Sequence, residues 1–180
     1  SVTGYWEWVL GELRSKSLMH VTTESDPATG AIFARNPYGQ EFADRVAFVD
    51  CSESVRTITC DRTEFLGRNG SPASPAAMRR TRLSNRTGAG LDPCAAIQTQ
   101  LPLDDRQERI IVFTLGAAGS EHDARHLVQR FRGAGNAMQA LEGVWHYWSE
   151  TLGAIHVETP DPAVNFMANG WMIYQTLACR

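Results

Sequence analysis

The chain has 180 residues, 43% of them apolar, enough to bury the core of one ordinary domain or of parts of two. The 17 Lys and Arg against 20 Asp and Glu leave a net charge of −3, and the basic residues are scattered apart from a cluster between Arg79 and Arg86, which argues against a dedicated nucleic-acid surface. No apolar run approaches the roughly 20 residues that a membrane-spanning helix needs, and Ser1 opens into a polar and aromatic stretch rather than a signal peptide, so this piece is expected to be soluble.

The first half reads as strands divided by turns. Residues 5–10 and 20–24 are aromatic and β-branched, as strands require. Asp26-Pro27-Ala28-Thr29-Gly30 is turn chemistry, with Pro presetting φ and Gly supplying a permissive position. Residues 19–23 and 31–34 should therefore pair as an antiparallel hairpin, which Asn36-Pro37-Tyr38-Gly39 closes. Further strands are expected at 46–49, 55–59, 95–100 and 110–115; the last, Ile-Ile-Val-Phe-Thr-Leu, is continuous enough to be central and buried on both faces. This pattern predicts a mainly β sandwich. Between its strands, residues 66–92 are rich in Gly, Pro, Ser, Asn and Arg and are long for a structureless connection, as functional loops often are.

Helices follow. Ser120-Glu121-His122-Asp123 has the pattern of a capping box, and Leu127, Val128 and Phe131 form an apolar stripe that ends before Gly133 and Gly135. Met138, Leu141, Val144, Trp145, Trp148 and Leu152 form a second stripe at helical spacing, stopped by Gly153. A third helix should start at Asp161-Pro162, with Asp as cap and Pro at the first helical position, and run to the end with Val164, Met167, Trp171, Tyr174 and Ala178 on one face. With no stop signal before Arg180 and no partner for that aromatic stripe, the chain is expected to be a fragment of a larger protein.

Few residue patterns point to chemistry. Cys51, Cys60, Cys94 and Cys179 lack CxxC spacing and sit among apolar or β-branched neighbours; they read as small buried residues, without a disulfide framework or zinc site, in a reducing compartment. His122 and His126 have the spacing of a shared metal, but no third ligand is evident and no Glu follows the first, so no metal site is expected. His146 reads as a packing or edge residue, and His20 and His156 are isolated. Asn85-Arg86-Thr87 is a chance match to a glycosylation sequon, and Gly88-Ala89-Gly90 is a turn rather than a nucleotide fingerprint.

The most informative stretch is Asp61-Arg62-Thr63-Glu64-Phe65-Leu66-Gly67-Arg68-Asn69-Gly70 with the Ser71-Pro72-Ala73-Ser74-Pro75 that follows. Asp61, Arg62, Arg68 and Asn69 are candidates for binding sugar hydroxyls or a phosphate, since a guanidinium fork suits such oxygens. Two structural roles compete with this. Asp61 with Arg62 or Arg68 could be a pinning salt bridge, and Phe65-Leu66 could anchor the loop in the core.

At these residues the chain resembles the inverting phosphorylases of cellobiose and chitobiose, glycoside hydrolase family 94, and more closely the matching C-terminal region of the cyclic β-1,2-glucan synthases. The resemblance covers nearly the whole chain. Its carriers are Thr29-Gly30-Ala31-Ile32-Phe33-Ala34-Arg35-Asn36-Pro37, Arg45-Val46-Ala47-Phe48, the stretch from Cys60 to Gly70, Thr87-Gly88-Ala89-Gly90-Leu91-Asp92-Pro93-Cys94-Ala95-Ala96 and Tyr174-Gln175-Thr176-Leu177-Ala178-Cys179-Arg180.

The resemblance implies a β-sandwich over 1–118, a helical linker over 119–158 and, over 159–180, the first helix of a truncated (α/α)6 barrel. The parent would be a bacterial inner-membrane glycosyltransferase or glycoside phosphorylase in which this region faces the cytoplasm and controls β-1,2-glucan length. Inorganic phosphate would be its co-substrate, and it would need no cofactor. The family's catalytic acid and its sugar-binding Arg-Asp motif have no matching position before Arg180, so no catalytic residue is assigned and the fragment alone should be inactive. Its partners would be a β-glucan and the rest of the parent chain. The alternatives are a non-catalytic carbohydrate-binding or scaffolding sandwich, and a module whose aromatic helix forms a homodimer.

Overall fold

The computed structural model describes residues 1–39 and 42–179, and the chain divides into two units, Ser1–Ala134 and Gly135–Arg180. In the first, β1 (Val2–Glu7), β6 (Pro93–Thr99) and β5 (Arg56–Asp61) form an antiparallel sheet in the order β1-β6-β5. A second antiparallel sheet has the order β2-β3-β4-β7, from Thr22–Ser25, Ile32–Arg35, Val46–Cys51 and Phe113–Ala118. Strand side chains alternate between faces, and the inward sets are apolar. Ile32, Ala34, Ala47 and Val49 from one sheet meet Ile58, Cys60, Ala95 and Ile97 from the other, giving a β-sandwich core.

Both outer faces are also covered. Short helices α1 (Arg14–Ser17) and α2 (Arg62–Leu66) follow β1 and β5. Helix α3 (Glu121–Phe131), capped by the Ser120 hydroxyl accepting from the Asp123 N–H at 3.1 Å, lays Ala124, Leu127 and Val128 on Phe33, Val46 and Phe48 of the second sheet. Residues 62–92 cover the first sheet, with Phe65, Leu66, Ala77 and Leu83 on Ala96 and Tyr5. One buried carboxylate ties these layers together. Asp50 on β4 takes two hydrogen bonds from Arg132, just past α3, at 2.9 and 2.7 Å, and an ion pair from Arg56 on β5 at 2.9 Å.

The strands buried on both faces are β4 and β6, all of whose residues are buried, and not the apolar run at 110–115. That run enters the second sheet only from Phe113 and does so at the edge, where Ile110 is 69% and Leu115 57% exposed. The physical reason is size. Ala47, Cys51, Cys94, Ala95 and Ala96 are small enough for layers to close on both sides of their strands, whereas a run of large side chains marks hydrophobicity without saying which layer lies opposite. Gly116 serves the same end on β7, since a Cβ there would stand 2.5 Å from Cζ of Phe48.

Strand β1 also begins earlier than predicted, at Val2, and Trp8 beyond its end turns into the core at 4% exposure. Cys51, Cys60 and Cys94 are buried free thiols, and burial pushes the Cys60 thiol up to about 12. Cys179 departs from the expectation: it is exposed.

In the second unit α4 (Ala134–Leu152) matches the predicted stripe, and Trp148 meets Tyr174 of α6 (Met172–Ala178) at a ring distance of 5.8 Å. The third helix is not continuous. After α5 (Pro162–Phe166), capped by Asp161 as expected, the chain breaks at Asn169 and Gly170, where Gly170 has φ +108°. Asn169 supplies the cause by leaving the helical pattern to bind the Val157 backbone, accepting from its N–H at 2.7 Å and donating to its carbonyl at 2.8 Å. Asn165 holds Thr159 in the same way, at 2.7 and 3.0 Å. Among the described residues, no helix is long and apolar enough to cross a membrane.

Candidate functional site

Strand β5 ends at Asp61 because that side chain caps α2, accepting from the Thr63 N–H at 3.0 Å. Its other oxygen takes Nη1 of Arg86 at 2.7 Å. The pinning salt bridge of Asp61 thus exists, but with Arg86 in place of Arg62 or Arg68. Arg62 turns the other way, to Glu7 at 2.9 Å and Asp92 at 3.4 Å, and Arg14 of α1 binds the same two carboxylates. Two acids and two arginines from four segments so lock the base of the 62–92 segment to β1. The Tyr5 hydroxyl donates to Glu7 at 2.7 Å, and burial together with that carboxylate pushes its phenol far up.

Glu64 organises the middle of the segment. It accepts from the Ser84 hydroxyl at 2.5 Å, the Ser84 N–H at 3.2 Å and the Thr59 hydroxyl at 2.6 Å. Phe65 stacks on Tyr5 at 4.5 Å and 9°, so the predicted anchoring of Phe65-Leu66 is what the structure has. Further along, Asn85 exchanges two hydrogen bonds with the Ile58 backbone, at 3.0 and 2.8 Å, which seals the edge of β5 and leaves the sequon residue in a structural role. The Gly88 carbonyl accepts from the Thr23 N–H at 3.0 Å and so joins the segment to β2.

What remains is the tip. Past Gly67, at φ +92°, Arg68 and Asn69 are exposed and make no side-chain hydrogen bond or ion pair among the described residues. Exposed Arg79 and Arg82 share that condition, while Arg80 reaches Glu64 at 3.5 Å. Of the four sequence candidates, then, Asp61 and Arg62 are consumed in building the segment, and Arg68 and Asn69 face solvent on a braced turn. A rigid turn that presents a guanidinium and an amide can donate to and accept from a polyhydroxylated ligand with little ordering cost.

The carboxylates in this framework make it acid-sensitive. Burial alone would push Glu64 and Asp26 up, but hydrogen bonds from Ser84 and Thr59 in one case, and from Thr29 and Arg125 in the other, outweigh it and hold both below their ordinary values of 4.5 and 3.8. A depressed folded-state pKa stabilises fully above the unfolded value and loses that contribution as pH falls through the folded one. Urea midpoints should hold steady down to about pH 4.5 and then drop, and Glu64→Gln should flatten part of that acid limb. An unchanged slope for the variant would contradict this role of Glu64.

A second concave feature was not visible in the sequence. A cavity of about 740 Å³ lies between the turn after β1 and the connection after β3, lined among others by Leu10, Glu12, Asn36, Phe42, Arg45 and Ala117. Asn36 shapes its wall by donating to the Leu10 carbonyl at 2.8 Å and accepting from the Tyr38 N–H at 3.1 Å. Tyr38 itself stacks on His20 at 4.1 Å and 12°. Two exposed aromatics, Tyr38 and Phe42, close together in a polar stretch were the signal that could have revealed it. No group of three or more His, Cys, Asp or Glu that could hold a metal occurs among the described residues.

Two stacked antiparallel sheets, with one outer face covered by a helix and the other by a long ordered segment, define a supersandwich domain. Residues 1–134 match the family described as glycosyl hydrolase 94, supersandwich domain, and the chain belongs to that family. It is 37% identical over 180 residues to cyclic beta-(1,2)-glucan synthase NdvB of Rhizobium meliloti (strain 1021), covering 99% of this chain and 6% of that protein. It is 28% identical over 139 residues to the 3-O-beta-D-glucopyranosyl-beta-D-glucuronide phosphorylase of Paenibacillus borealis, covering 75% of this chain and 18% of the relative. Identity to the N,N'-diacetylchitobiose phosphorylase of Vibrio proteolyticus is 25% over 118 residues, 66% of this chain and 14% of the relative. The chain thus spans a small part of the length of each.

Proposed function

We propose that the chain is the sandwich portion of a carbohydrate-active glycosyltransferase or glycoside phosphorylase that processes β-1,2-glucan and adjusts its chain length. The observation that carries this reading is the braced turn at Gly67, which leaves Arg68 and Asn69 without side-chain partners among the described residues, on a support that consumes Asp61 and Arg62. In this reading the turn helps to close a sugar site whose catalytic acid and phosphate-binding groups belong to an (α/α)6 barrel. Residues 159–180 begin that barrel, and 119–158 link it to the sandwich over 1–118. Inorganic phosphate is the co-substrate and a β-glucan the partner. The sandwich alone is inactive, and the parent is a membrane enzyme with this region on the cytoplasmic side.

The test uses the full-length enzyme. Arg68→Ala should lower kcat/KM for phosphate-dependent release of sugar phosphate from β-1,2-gluco-oligosaccharides roughly tenfold or more, since a hydrogen bond from a charged donor contributes about 1.5–3 kcal/mol. Asn69→Ala should lose less. Unchanged kcat/KM in both variants would remove the turn from the sugar site, and absence of phosphate dependence in the unmodified enzyme would remove the phosphorylase reading.

A further inference from the structure

The cavity beside Leu10 takes no part in the braced segment described above. Its volume of about 740 Å³ falls within the range of small-molecule sites. Leu10, Ala47 and Ala117 give it an apolar floor, and Glu12 and Arg45 place both signs of charge on its lining. A site for a simple anion or cation would concentrate one sign. A ligand with many neutral hydroxyls uses both, because the carboxylate only accepts and the guanidinium only donates.

Neither group is committed elsewhere by a strong contact among the described residues. Arg45 has no ion-pair partner among the described residues. Among the described residues Glu12 meets only Lys16, at 3.1 Å, with side chains 79% and 66% exposed, a pairing that water screens.

The aromatic groups narrow the ligand further. Phe42 on the lining is 59% exposed, and Tyr38, on the turn that also supplies Asn36 and Gly39 to the lining, is 73% exposed while stacked on His20. A flat apolar ring left in water beside polar groups matches a pyranose, which has a C–H face to cover the ring and a rim of hydroxyls to reach the charges. We propose that this cavity is a non-catalytic holding site for a β-linked gluco-oligosaccharide, separate from the turn at Arg68. The choice of glucose as the sugar rests on the glucan-processing reading above; the choice of a sugar rests on the cavity itself.

The experiment is an NMR titration of the 180-residue chain with β-1,2-gluco-, cello- and chito-oligosaccharides. Gluco-oligosaccharides should shift the resonances of Phe42, Tyr38 and Arg45. Phe42→Ala and Arg45→Met, checked for unchanged amide dispersion, should each weaken binding about tenfold. The same resonances should still respond when the turn carries Arg68→Ala. No response at the cavity to any of these sugars, or a response lost with Arg68→Ala and retained with Phe42→Ala, overturns the site while leaving the glucan reading intact. A response at the cavity to chito-oligosaccharides alone overturns the choice of glucan and counts against the reading it rests on.

Discussion

Replacement of Asp50 by Ala is expected to cost about 3–5 kcal/mol of folding stability, read from urea unfolding, because it strands a buried guanidinium. Asp50 is 1% exposed, and its partner Arg56 has a side chain only 8% exposed. Removing the carboxylate leaves Arg56 with the carbonyls of Cys51 and Thr29 as acceptors, the latter at 2.8 Å. Arg132 is anchored by the same carboxylate and also donates to the Thr29 carbonyl at 2.7 Å, so α3 loses its tether to β4 in the same step. Arg132→Met should cost less, since Asp50 keeps its ion pair with Arg56 at 2.9 Å and no charge is left without a partner. A loss below about 1 kcal/mol for Asp50→Ala would mean that the ion pairs contribute little beyond their own desolvation.

Phe65→Ala should be comparably severe, about 3–5 kcal/mol for a buried aromatic whose site cannot fully collapse. Its position makes the effect directional. Phe65 is 2% exposed, packs with Leu66, Ala77 and Leu83, and stacks on Tyr5. Losing it frees the segment that carries the Arg68 turn before it opens the inter-sheet core, so limited proteolysis should cut first within 67–75. Cleavage elsewhere at an equal rate would show that the segment is not a distinct layer of the fold.

Local chemistry made the turns and caps legible in the sequence. Asp26 and Thr29 form the hairpin turn, with Thr29 donating its N–H and hydroxyl to the Asp26 carboxylate at 2.9 and 2.7 Å. Ser120 and Asp161 cap their helices for reasons visible within three residues. Layer order was not legible. Burial of β4 and β6 on both faces depends on what packs opposite, and Ala, Thr and Gln in those strands hide it, while the large residues at 110–115 suggest a centrality they do not have. The break at Asn169 escaped because its cause is a hydrogen bond to Val157, twelve residues away in sequence.

The candidate site divides in the same way. Glycine and charge marked the segment from Asp61 onward, but the sorting of its residues into supports and free groups needed Glu7, Arg86 and Asp92, which lie far from it in the chain or on its far side. The cavity at Leu10 joins parts of the chain that no short motif connects.

The arrangement of thiols gives the protein a built-in clock for its own opening. Burial pushes the thiols of Cys51, Cys60 and Cys94 up from their ordinary pKa, so each stays protonated and shielded from alkylating agents, whereas Cys179 is open to solvent. All three protected sulfurs lie on β4, β5 and β6, the strands that hold the two sheets together. An electrophile added to native protein therefore marks Cys179 at once; later modification of Cys51 or Cys60, which lie between the sheets, counts their separation, whereas Cys94, on the face of β6 that carries Ala96, counts a lifting of the outer segment.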